Sequence, residues 1–226
     1  MIVDVIILSH AKTAPLFDLT QATIDSCHAS DKAVQFNILV LEQEPNVIYR
    51  DCITGFTTGE FNYNKYMNLG ISLTGNEYVC LCNNDLVFGK DWATNLIAGM
   101  KEHELLSACP ANIERPMRGI YFGYQNNMHM LGWCIMTNRK LYDIIGEIDD
   151  EFPFWFADNI YSEQLKKFGV KHAVMNYATV KHLGSSTLKT IDKTLHTEYT
   201  TGLIKKFIEK HPNNESAKYF KASLRI

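Results

Sequence analysis

Three residues far apart in the chain place reactive side chains where an apolar segment gives out: Asp85, Asp158 and His182. Asp85 closes Asn83-Asn84-Asp85 after the apolar run Tyr78–Cys82. A run this short, without helical period, reads as a strand buried on both faces of a parallel sheet. A carboxylate at the carboxyl end of such a strand lies where an open α/β sheet keeps its ligand crevice, and it can hold a divalent metal against a phosphate. Asp158 stands at a predicted helix start after the aromatic stretch Phe152-Pro153-Phe154-Trp155-Phe156, and His182 ends a short predicted strand. Each also has an ordinary use. A polar strand end can cap the next helix, Asp158 can be an N-cap, and a single histidine can be structural.

The elements that must position these residues follow from the hydrophobic pattern. Val3–Leu8 is a β-branched strand ending in Ser9-His10, and a loop with Pro15 leads into a helix carrying Phe17, Ile24 and Cys27. Gln35–Glu42 is the second strand. Strand, helix and strand at this spacing form a parallel crossover unit and set the class as α/β. Residues 46–60 read as irregular. The next helix, Phe61–Ile71, puts Tyr63, Tyr66, Met67, Gly70 and Ile71 on one face, with Asn62 as its N-cap. Asn68 sits mid-helix, where asparagine is a poor helix former unless it binds something.

Beyond Asp85, Trp92, Leu96, Ile97 and Met100 mark a helix, and Ser107–Pro110 a short strand stopped by proline. The polar and aromatic stretch 111–130 has no period and reads as a lid or acceptor loop. Gly132–Thr137 returns to strand, Arg139–Ile145 is a short helix, and Tyr161, Leu165 and Phe168 form a stripe closed by Gly169. Val170–Met175 and Ala178–His182 are two short strands. From Leu188 the pattern changes: Leu188, Ile191, Leu195, Tyr199 and Leu203 predict a long amphipathic helix, broken at His211-Pro212 and followed by a second over Ala217–Leu224. Residues 1–187 form one domain on this reading, and 188–226 a helical extension packing on it.

Composition bounds the function. With 226 residues and 46% hydrophobic content the chain can bury a substantial core, and a net charge of -3 argues against wrapping a nucleic-acid backbone. The amino terminus has no basic leader and carries Asp4 within its apolar run, and no run approaches the roughly eighteen residues of a membrane span. Six cysteines without a CxxC pair read as reduced core thiols of a cytoplasmic protein, Cys80 and Cys82 sharing one face of a strand.

The order of these pieces resembles the GT-A inverting glycosyltransferases of family 2, over residues 2 to 187. The matching segments are Val3–His10, Asn68-Leu69-Gly70, and Gly75-Asn76-Glu77-Tyr78 before Asn83-Asn84-Asp85, a variant of the Asp-x-Asp motif. They continue with Gly132-Trp133-Cys134, Gly146–Glu151, Phe154–Asp158 before Phe168-Gly169, and Val180-Lys181-His182-Leu183-Gly184-Ser185-Ser186. Three positions depart from the family: Asn83 replaces Asp, Ala157 replaces Glu, and Glu42 ends the second strand where Asp is common.

The resemblance implies a Rossmann-like central sheet, mostly parallel, flanked by helices. It implies transfer of a hexosyl or pentosyl group from a nucleotide-sugar donor to a hydroxyl acceptor. A glycan or lipid-linked saccharide is the expected acceptor, with a modified nucleobase or a protein also open. Ser9, His10, Glu42, Asn68, Asn83, Asn84 and Asp85 would contact the donor, and Gly132, Trp133 and Trp155 the acceptor. Asp85 and His182 would hold the divalent metal, with manganese preferred to magnesium because of the imidazole. Asp158 would be the base, and the C-terminal helices could form a homo-oligomer. A nucleotidyltransferase would carry glycine and arginine after the first strand, and Ser9–Pro15 has neither. Asn83 and Ala157 keep open a degenerate, non-catalytic domain that binds sugars or nucleotides or serves in assembly.

Overall fold

The computed structural model describes residues 1–114, 118–184 and 193–224. Nine strands form a single mixed sheet in the order β3-β2-β1-β4-β8-β6-β9-β5, with β7 paired to β9 outside this path. The parallel half consists of β1 (Ile2–Ser9), β2 (Gln35–Glu42), β3 (Ile53–Phe56) and β4 (Tyr78–Cys82). In the other half, β8 (Cys134–Asn138) runs antiparallel to both β4 and β6 (Ser107–Asn112), and β6 pairs in parallel with β9 (His172–His182). β5 (Leu86–Phe88) and β7 (Ile120–Phe122) are short antiparallel partners of β9.

Helices cover both faces. α1 (Ala14–Ser30) and α3 (Trp92–Glu102) close one core around Ile24, Trp92, Leu96 and the inward residues of β1, β2 and β4. α2 (Tyr63–Leu73), α4 (Lys140–Ile145) and α5 (Ala157–Lys167) close the other, around Met67, Leu141, Tyr161 and Leu165. All five residues of β4 are buried, as its run without polar alternation requires. α2 lies tight on β1: a methyl added at Gly70 would come within 2.5 Å of Ile6.

The sheet differs from the sequence reading at short or interrupted strands. β3 lies inside the segment read as irregular; it is an edge strand with Ile53 and Phe56 exposed, so burial gave it no pattern. β7 lies inside the segment read as a loop. β6 continues through Pro110, where a register shift against β9 absorbs the missing donor. The two short strands predicted over 170–182 are one continuous β9.

α6 (Lys193–Lys210) and α7 (Glu215–Leu224) dock on the aromatic segment before α5. Phe152, Phe156, Ile160, Phe207 and Ala217 make a third core, so the C-terminal helices turn apolar side chains to their own chain. Leu188 and Ile191 of the predicted stripe lie outside the described residues. No helix among the described residues is long and apolar enough to cross a membrane.

Candidate active site

The candidate site lies where the parallel half of the sheet meets the antiparallel half. β4 ends at Cys82 and β8 begins at Cys134, directly opposite, so Asn83 and Trp133 emerge side by side, and the Asn83 amide donates to the Trp133 carbonyl at 2.9 Å. Immediately after Asp85, β5 pairs with the end of β9 in a register that sets Leu86 against His182. That pairing carries the imidazole to the carboxylate.

Asp85 Oδ1 and His182 Nε2 lie 3.2 Å apart, both buried, yet neither has a hydrogen-bond partner in this geometry. The two atoms form an ion pair when the imidazole is protonated, and a cation between them would satisfy both when it is neutral. Their separation suits neighbouring donors around one cation, which octahedral coordination at 2.0–2.1 Å puts about 3 Å apart. The residues therefore fit a divalent metal, and a mixed carboxylate and imidazole set suits manganese better than magnesium. Trp133 stacks on the His182 ring, centroids 5.5 Å apart and planes 16° from parallel, and fixes its orientation.

Asp158 occupies the first turn of α5. Its Oδ1 accepts from the Asn159 backbone amide at 3.0 Å, and burial pushes its carboxyl above the usual Asp range, against the lowering effect of Asn126 and nearby backbone amides. Gly132 lies against it: a methyl there would sit 2.6 Å from Asp158 Cβ and 2.9 Å from Oδ2. The Tyr63 hydroxyl lies 3.3 Å from both Asn83 Oδ1 and the Gly132 carbonyl and bridges the strand-end motif to the segment touching Asp158. One continuous chain of contacts thus runs from Asp85 through His182, Trp133, Gly132 and Tyr63 to Asp158.

Several residues expected at the donor are committed elsewhere. Glu42 is wholly buried; its Oε1 accepts from the Ala11 and Glu44 amides and its Oε2 from the Tyr49 hydroxyl. Ser9, also buried, bonds Thr20 and Tyr49, so both residues organise the loop after β1 from beneath. Burial and the Glu42 carboxylate push the Tyr49 phenol up to about 12, which keeps this network protonated and closed. Asn84 turns to α1, donating to Thr20 Oγ1 while its carbonyl accepts from Thr23. His10 pairs with Glu44 at 3.0 Å.

Asn68 is fastened at both ends of its amide to the backbone of Ile148. It belongs to a row along α2: Asn62 and Asn64 likewise donate to carbonyls of Asp150, Asp149 and Ala157. The row pins the segment that delivers Asp158, a structural use for asparagines that helix propensity disfavours. On the acceptor side, Trp155 joins the third core and meets Phe154 edge-on at 5.2 Å.

Two contributors escaped the sequence reading. Tyr63 was indistinguishable from a core aromatic on a helical stripe. Asn126, in the stretch read as an acceptor loop, turns its buried side-chain amide to Asp158 and lowers that carboxyl.

No protein-family model matches the sequence, and no curated protein matches it. Solved structures do match in fold. One is GalNAc-T7 crystallised with UDP, GalNAc and Mn2+, at a TM-score of 0.63 and 11% identity over 80% of this chain and 42% of that one. Another is residues 1–349 of S. aureus TarS, at a TM-score of 0.58 and 12% identity over 80% of this chain and 59% of that one. The chain spans about half the length of these structures. Superposing four-fifths of its residues on each, the chain has the GT-A fold of the glycosyltransferases.

Proposed function

We propose that the chain is a metal-dependent, inverting glycosyltransferase that moves a hexosyl or pentosyl unit from a nucleotide-diphosphate donor to a hydroxyl of a saccharide. The observation that carries this reading is the pair of buried donor atoms Asp85 Oδ1 and His182 Nε2 at 3.2 Å. The crystallised neighbour with UDP and Mn2+ supports it, since that fold accommodates both. A divalent cation held by Asp85 and His182 would offset the charge growing on the leaving diphosphate.

The chain's own residues supply the rest. Asp158 would accept the proton of the acceptor hydroxyl as the oxygen attacks, and its raised pKa makes it the stronger base. Attack from the face opposite the leaving group inverts the anomeric carbon. Gly132 leaves room for the carboxylate, and Trp133 keeps the imidazole in position. Six free cysteines suit a reducing compartment, and we place the protein in the cytoplasm.

A panel of nucleotide sugars tested by thermal shift with and without Mn2+ checks the reading. A true donor at a hundred times its Kd should add about 2.7 kcal/mol of stability, and only with metal present. Asp85→Ala should abolish the metal-dependent part. Asp158→Asn should retain donor binding and lose transfer. Transfer that survives Asp158→Asn overturns the base assignment, and donor binding without turnover in the wild type means a non-catalytic binding module.

A further inference from the structure

The seam between β4 and β8 holds a feature the transfer reaction does not use. Cys80 and Cys82 share one face of β4, and Cys134 opens β8 directly opposite Cys82 on that same face. All three are fully buried. Their sulfurs form a triangle with sides of 3.3 Å (Cys80 to Cys82), 3.7 Å (Cys80 to Cys134) and 3.9 Å (Cys82 to Cys134).

Ordinary core packing does not ask for three sulfurs at one point. Three sulfurs each about 2.3 Å from a common ion stand roughly 4 Å apart when planar, and closer as the ion rises from their plane. The observed sides fit that figure. Among the described residues no fourth metal-ligating side chain joins the three sulfurs within the same reach, whereas a structural zinc closes with four ligands. We propose that Cys80, Cys82 and Cys134 form a three-sulfur site for a soft monovalent ion, Cu(I), distinct from the Asp85–His182 position.

Ligand softness favours Cu(I), which thiolate sulfur selects. The thiolate is the ligand form of cysteine, so Cu(I) held by all three sulfurs releases three protons, one from each thiol. The bound ion would tie β4 to β8 where the Asn83 amide already donates to the Trp133 carbonyl.

The test is an anaerobic titration of the reduced full chain with Cu(I), in competition with a chromophoric Cu(I) chelator. Native mass spectrometry gives the stoichiometry, and X-ray absorption fine structure counts the sulfurs. One Cu(I) per chain, three sulfur neighbours at about 2.3 Å and a raised melting temperature are expected. Cys80→Ser and Cys134→Ser should each lower affinity by about tenfold or more, while Cys109→Ser, a buried thiol outside the triangle, should not. Loss of Cu(I) to the chelator by the wild type overturns the proposal, as does affinity unchanged in both serine variants. If those variants fail to fold, the wild-type sulfur count decides: fewer than three sulfurs overturns it. The outcome is independent of glycosyl transfer, because Mn2+ dependence is read at Asp85 and Cu(I) binding at the thiols.

Discussion

Gly132 is the residue at which the candidate base is most exposed to a small change. A methyl there meets Asp158 Cβ at 2.6 Å and Oδ2 at 2.9 Å, so Gly132→Ala must displace the carboxylate. Misplacement by about 1 Å costs about a hundredfold in rate. Gly132→Ala should therefore lower turnover by that order with donor affinity intact; a transfer assay beside a donor titration checks this, and unchanged turnover would remove Asp158 from the mechanism. Asp158 also sets the pH profile. Burial raises its carboxyl, so transfer should fall as pH drops through that raised value. Asn126 lowers it, so Asn126→Ala should move the acid limb of kcat/KM to higher pH. The same shift has a stability sign. A carboxyl whose pKa is higher folded than unfolded costs stability above both values and costs nothing below the usual 3.8. Asp158→Asn should thus melt higher than the wild type at pH 7, with the gap closing as pH falls toward 3.8; no gap at pH 7 contradicts the burial argument. Asp85, Asp158 and His182 were visible in the sequence because each ends an apolar segment. The closed roles of Ser9, Glu42 and Asn84 were not, since they depend on Tyr49 and Thr20 arriving from other elements.

At the scale of elements, the base is delivered by the start of α5, and two other helices hold that start. Phe156, the residue before the helix, takes a left-handed backbone with φ of 71°, a conformation that bulky residues adopt only under external constraint. Phe207 of α6 supplies the constraint, stacked on it at 4.2 Å with planes 6° from parallel. Ser216 Oγ of α7 accepts a hydrogen bond from the Asn159 side-chain amide. Phe207 is wholly buried, so Phe207→Ala should cost about 3–5 kcal/mol in urea unfolding. It should also reduce kcat more than the donor KM, because the strained turn loses its backing. From the other side, α2 holds the same segment through its asparagines. Asn68→Ala removes both bonds to Ile148 and should cost about 1–3 kcal/mol while leaving donor KM unchanged. A raised donor KM at wild-type stability would instead return Asn68 to the nucleotide. Helix periodicity located α2, α5 and the tail well, because each buries one stripe. It could not reveal that the tail's partner is the aromatic run 152–156, which reads equally as a sugar platform.

For the molecule as a whole, the two halves of the sheet meet at β4 and β8, and every polar group of the candidate site arrives from one side of that seam or the other. Strand order of this kind is a property of non-local pairing. β5, β7 and β3, of three or four residues each, are too short to announce themselves by alternation. The third core extends the same logic to the C-terminal helices. It joins Phe152, Phe156 and Ile160 to Phe207 and Ala217, with Phe152 and Phe207 fully buried. An extension merely resting on a finished domain would not share such a core, and removing it would leave the three buried side chains of Phe152, Phe156 and Ile160 facing water. Folding of α6 and α7 is therefore expected to be one event with folding of the sheet. In a variant retaining Trp155 as its only tryptophan, urea unfolding followed by its fluorescence should coincide with that followed by far-ultraviolet circular dichroism, in midpoint and in slope. Coincident curves would make residues 193–224 part of the domain that presents Asp158. A fluorescence transition at lower urea, preceding loss of the sheet, would instead make the tail a separable unit, and Phe207 could not then be what holds the strained turn in the native protein.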